Sequence, residues 1–239
     1  MLRDMNRMNR LFTLTSLSVV LVTVERFSFT TRVLLEPHAF LRLHELLQMV
    51  LIVLVTVLIP SLLLREVSAD FTALRSRGGT LLFLLFVVGI YYYSTGNGVH
   101  EVASFTFNTY CDPHHFSGSL CGGQFDNDFY TGNILFFVGG FLMTVSLLAF
   151  ERHRPSVSYA AAGRTALLVN GTIYALTVLA YAGFDRVLVG LEYSVAMWFV
   201  TLAFFLPVRK RYLEFPFITY TTLVYTLGTV SSIIVRLAR

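Results

Sequence analysis

Charge is scarce in this chain. Asp, Glu, Lys and Arg make up 13% of its 239 residues, where a soluble globular protein carries about 25%. With 55% hydrophobic residues, that scarcity excludes an ordinary soluble domain and points to a polytopic membrane protein. Lysine is rarer still. Lys210 is the only one, and it sits in a basic loop, so a retinal Schiff base of the opsin kind has no residue to form on. There is no phosphate-binding glycine loop and no dinucleotide fingerprint. Cysteine is limited to Cys111 and Cys121. No repeat, low-complexity tract or linker divides the chain, which reads as one domain over 1–239.

Long apolar runs are abundant. They cover about residues 11–27, 40–64, 80–107, 128–150, 165–184, 191–208 and 217–235. A helix needs about 20 apolar residues to cross the hydrocarbon layer. The first and sixth runs are the shortest, and the third is overlong with a polar second half. A bilayer demands that every backbone group be bonded internally, and barrel strands would alternate strictly. These runs are apolar on all sides, so the expected fold is an all-α transmembrane bundle of about seven helices in contact with the lipid bilayer.

The basic residues explain the net charge of +4 without any nucleic acid partner. They gather as Arg3, Arg7 and Arg10; Arg65, Arg75 and Arg77; Arg152, Arg154 and Arg164; and Arg209, Lys210 and Arg211. Seven spans put all four clusters on one side, which the positive-inside rule makes cytoplasmic. The expected topology has the N-terminus inside and the C-terminus outside, in a plasma or inner membrane. Arg26, Arg32 and Arg42 in the first outer loop count against it. The basic start followed by an apolar stretch has no small-residue cleavage site, so it reads as an uncleaved helix.

Cys111 and Cys121 both fall between the third and fourth runs, on the expected outer side. There a disulfide is favoured over two free thiols. Asp112, Pro113, Gly118, Gly122 and Gly123 give this stretch turn chemistry, so it is expected to form a loop that covers a site.

Histidine is placed unevenly. His38, His44, His100, His114 and His115 share the outer side, with only His153 opposite. Glu45, Glu101, Asp126 and Asp128 lie at helix ends on that same side. His44 and Gln48 are four residues apart and share a helix face. Tyr93, Asn97, His100 or Glu101, Ser104 and Asn108 form a polar stripe that should point into the bundle. Asp126, Asn127 and Asp128 open the fourth run at the same depth, with Asn133 below them. Convergence of His44, Glu45, His100, Glu101, Asp126 and Asp128 is therefore expected.

Imidazole with carboxylate suits a divalent metal such as zinc or iron, which activates water or polarises a carbonyl. In that reading His44, His100, Asp126 and Asp128 are the ligands, and Glu45 and Glu101 are the catalytic acid–base groups. A metal-free His–Glu pair acting as general base is the alternative. The plainer one is a set of wet interface residues, with Glu45, Asp126 and Asp128 near helix N-termini serving the helix dipole.

Neighbouring motifs fall short. His44-Glu45 and His100-Glu101 begin an HExxH pattern, but Gln48 and Ser104 stand where its second histidine belongs. The seven-helix hydrolases of the ceramidase and adiponectin-receptor type place a histidine pair in the last helix, and residues 217–239 contain no His or Asp. Residues 126–132 distantly resemble a calcium loop, with the glycine one place late. An axial haem between His44 and His100 is disfavoured by the adjacent glutamates. Gly96 and Gly98 around Asn97 fit either an unwound turn or close helix packing.

Three function classes follow. The favoured one is a membrane enzyme, in one form a hydrolase, with an outward-facing His–carboxylate site acting on a lipid or small apolar substrate. The others are a transporter or ion-translocating unit, and a non-catalytic subunit bound to other membrane subunits. The nearly uncharged inner halves of the third, fourth and sixth runs count against transport.

Overall fold

The computed structural model describes residues 2–112, 114, 118–155 and 161–239. Its helices are α1 (Leu2–Arg26), α2 (Leu43–Leu47), α3 (Val53–Val67), α4 (Arg77–Tyr110), α5 (Ser119–Asp126), α6 (Asn133–His153), α7 (Ala161–Phe184), α8 (Val189–Phe205) and α9 (Pro216–Ala238). A π-helical turn at Gln48–Ile52 joins α2 to α3, and another at Asn127–Gly132 joins α5 to α6. With those joints, seven helical stretches are long and apolar enough to cross a membrane. Among the described residues there is no β-strand.

The helices outrun the apolar stretches that mark them. The third extends over Arg77–Tyr110, and the fourth begins near Leu120 rather than at residue 128. Apolarity marks only the part of a helix that lies in hydrocarbon, whereas its hydrogen bonding continues into the interface. Phe125 and Phe129 pack against Phe107 at ring separations of 5.6 and 6.3 Å, which gives the early part of the fourth span an apolar face. The expected long loop shrinks to a short connection, and the Cys111–Cys121 disulfide closes it.

Glycines set the closest helix approach. A Cβ on Gly96 would lie 2.2 Å from the Phe136 backbone nitrogen, and one on Gly139 would lie 2.2 Å from that of Tyr93. α4 and α6 therefore touch backbone to backbone, as small residues allow inside a membrane. α4 is unbroken through Asn97, so of the two readings of Gly96 it is the packing one that holds. The core along these contacts includes Phe12, Phe86, Leu148, Met197, Ile218 and Val224. Leu17, Val24, Leu81, Leu176, Phe199 and Ile234 are exposed on the outside of the bundle, where lipid would cover them.

The two ends differ. At the basic end Arg7 pairs with Glu66 at 3.0 Å, Arg65 with Asp70 at 2.6 Å, and Arg211 with Glu214. Glu151 is fully buried there and accepts hydrogen bonds from the backbone N–H groups of Phe217 and Ile218, at 2.9 and 2.7 Å. It satisfies two of the free donors at the start of α9 and sits at the positive end of that helix. The histidines of interest lie at the opposite end.

Candidate functional site

The site starts in the last turn of α1. Glu25 is buried, and three neighbours converge on its carboxylate. His44 Nδ1 lies 2.8 Å from Oε2, Gln48 Nε2 donates to Oε2 at 2.6 Å, and Thr30 Oγ1 donates to Oε1 at 2.6 Å. Local sequence explains how they meet. Ser28 caps a 3₁₀ turn over Phe29–Arg32, which folds Thr30 back over the end of α1. His44 and Gln48, one turn apart on the second span, then meet the same carboxylate from the side.

A second pair stands on α4. His100 Nδ1 lies 2.9 Å from Asp128 Oδ1 and 3.0 Å from the Asp128 carbonyl oxygen. Asp128 is 2% exposed and belongs to the π turn that joins α5 and α6. Such a turn shifts the helical register locally and is often found where a helix builds a site. Close packing brings the partners together, since a Cβ on Gly132 would come within 2.8 Å of the His100 backbone nitrogen.

Glu101 is a further acidic group at this end. It is buried, next to His100 on α4. Both imidazoles turn Nδ1 to a buried carboxylate. Among the described residues neither Nε2 has a hydrogen-bond partner. A histidine with Nδ1 turned to a carboxylate or carbonyl has its other nitrogen available for proton transfer or ligation.

Of the residues expected from sequence, the structure thus pairs His100 with Asp128, buries Glu101 next to His100, and pairs His44 instead with Glu25. The other two join neither pair. Glu45 is buried but accepts from the Arg42 backbone N–H at 2.9 Å, capping its own helix. Asp126 is exposed, because a step of two residues turns roughly 200° around a helix and Asp128 takes the inward face. The expected metal shell of His44, His100, Asp126 and Asp128 is accordingly not assembled. Among the described residues no group of three or more His, Cys, Asp or Glu is close enough to hold a metal ion. The calcium-like stretch 126–132 is helical, not a loop. His38 is exposed beside Phe40, His114 is exposed near Asp112, and His115 lies outside the described residues.

Sequence reading missed Glu25, Thr30 and both π turns. Glu25 did carry a signal: it continues the face of Ser18 and Val22 at helical spacing. Beside Arg26 at a helix end it looks like an interface charge. The π turns leave no local mark.

Beneath the cluster is a cavity of about 280 Å³, walled by α1, α3, α4 and α6–α9. Three helix faces connect it to the cluster. Ser18 and Val22 lead to Glu25, Thr56 leads through Ile52 to Gln48, and Tyr93 leads through Asn97 to His100. The seven-residue step from Tyr93 to His100 covers about 10 Å of helix. Between them Asn97 Oδ1 is buried without a hydrogen-bond partner among the described residues.

Comparison with known proteins finds no matching family, no significantly similar curated protein and no solved structure of similar fold.

Proposed function

We propose that this chain is an integral membrane enzyme using metal-free acid–base chemistry on a lipid or small apolar molecule drawn from the bilayer. One observation carries the proposal: two histidines, each with Nδ1 within 3 Å of a buried carboxylate, stand at the head of an intramembrane cavity. His44 and His100 would move the proton through Nε2, with Glu25 and Asp128 holding the rings and Glu101 balancing charge beside His100. The substrate would occupy the cavity with its reacting group turned toward the cluster. The cluster would face away from the cytoplasm. The basic end supports that orientation, and so does a disulfide at the histidine end, since disulfides persist in oxidising compartments.

The test is turnover in vesicles. Purified protein is reconstituted in total lipid extract of the expression host, and the lipids are followed by mass spectrometry beside His44→Gln, His100→Gln and Glu25→Gln. The expected result is consumption of a lipid species by the parent and a loss of about 100-fold or more in each histidine variant. No altered lipid, or variants as active as the parent, would overturn the proposal. A zinc or iron centre is the second reading, because a carboxylate on Nδ1 also braces a metal-bound histidine. Stoichiometric metal in the purified parent, lost in the His44→Gln/His100→Gln double variant, would favour it.

A further inference from the structure

We infer that the cavity binds a neutral lipid whose head is a flat, carbonyl-bearing ring of the isoprenoid-quinone kind. This deepens the proposed function, since it names the class of molecule that the site would receive.

Charge decides the first property. No lining residue is Asp, Glu, Lys, Arg or His. An anionic or cationic head would lose its hydration there with nothing to pair it, a cost that excludes phospholipid heads and fatty-acid anions from the interior. Shape decides the second. The side formed by α6–α9 is aromatic, with Phe137 stacked on Tyr193 at 4.6 Å and 20°, and Phe136 set against Tyr93 of α4 at 4.3 Å. The walls from α1 and α3 are mainly Thr, Val, Ile and Pro. Aromatic faces favour a planar unsaturated ring over a bundle of saturated chains.

Hydrogen bonding decides the third. Tyr220 lines the cavity and is 4% exposed, and among the described residues its hydroxyl has no hydrogen-bond partner. Ser16 is its neighbour, but no hydrogen bond joins the two hydroxyls, and that of Ser16 donates to the Asn170 carbonyl at 3.1 Å. A buried O–H without a partner is costly, and a ligand carbonyl would satisfy it. The Tyr193 and Tyr225 hydroxyls already bond each other at 2.8 Å. Size sets the limit. About 280 Å³ is near the lower end of small-molecule pockets, about 300–1,000 Å³, so one ring fits and a long tail does not. Thr23, a lining residue, is exposed on α1, so the cavity reaches the lipid-facing surface where a tail would leave.

The probe is decylubiquinone, titrated into the purified full chain in nanodiscs. Quenching of the single tryptophan, Trp198 on α8, reports binding. The contrasting ligands are oleate and phosphatidylglycerol. Saturable micromolar binding of decylubiquinone, with at least tenfold weaker binding of both anions, is expected. Two variants locate it. A side chain at Gly140 meets only the end of Tyr193, with the hydroxyl 3.3 Å from the new Cβ, so Gly140→Leu should fill the cavity and abolish binding. Tyr220→Phe removes one hydroxyl and should weaken binding about fivefold to tenfold. Absence of saturable binding, equal binding of the anions, or binding unchanged in both variants would overturn the inference. Asp126→Asn, on an exposed residue outside the site, should bind the probe like the parent. Ring-lipid binding without turnover would count against the acid–base reading alone, and lipid turnover without ring-lipid binding against this inference alone.

Discussion

At the scale of single residues, the decisive groups are carboxylates that have been taken out of water. Glu25 accepts from two side chains and orients a third, so removing it strands Thr30, Gln48 and His44 together. Glu25→Ala should cost about 3 kcal/mol, the lower end for breaking a buried pair, and Glu25→Gln distinctly less. Unfolding by denaturant in detergent would measure both, and equal small losses would show that the network does not stabilise the fold. The neighbouring aspartates offer a sharper contrast. Asp128→Asn should impair the His100 pair and any turnover, while Asp126→Asn, on an exposed residue, should leave both within error. At the other end, Glu151→Ala would leave the first N–H groups of α9 without their acceptor. A loss of about 3 kcal/mol is expected there, from two buried N–H donors left without an acceptor.

At the scale of elements, register matters more than composition. Both π turns lie at the histidine end, and each supplies a site residue: Gln48 from one and Asp128 from the other. Hydropathy outlines the spans that contain them, but an offset of one residue within a helix is invisible to a windowed average. Helix contact is set in the same local way. Gly96 meets the α6 backbone, whereas Gly98, two residues on, faces open space. Gly96→Val should therefore prevent or severely weaken folding, and Gly98→Ala should be neutral or slightly stabilising, because alanine is the better helix former. Melting temperatures of the two proteins in one detergent would decide. Similar values would mean that α4 and α6 do not pack as closely as described.

At the scale of the whole molecule, the chain is polarised, with most of its arginines and their acidic partners at one end and a stapled, histidine-bearing site at the other. The proposed orientation can be checked in intact cells. In a chain lacking Cys111 and Cys121, an impermeant maleimide should label Lys210→Cys only after the membrane is broken, and His114→Cys before. The reverse pattern would invert the topology and turn the site to the cytoplasm.

What could be read from sequence and what could not follow one physical division. Seven spans, helices rather than strands, the gathering of basic residues at one end and the likelihood of a Cys111–Cys121 bond all follow from properties that each residue carries alone. These are its transfer free energy, its charge and its place along the chain. The His44–Glu25 and His100–Asp128 pairs, the choice of Asp128 over Asp126, the use of Glu45 as a cap and the tyrosine-lined cavity do not follow in that way. They depend on how far each helix is rotated and how closely it approaches its neighbours. Backbone contact at Gly96 and Gly139 and the register shift of two π turns set those quantities, and both arise only when the helices pack.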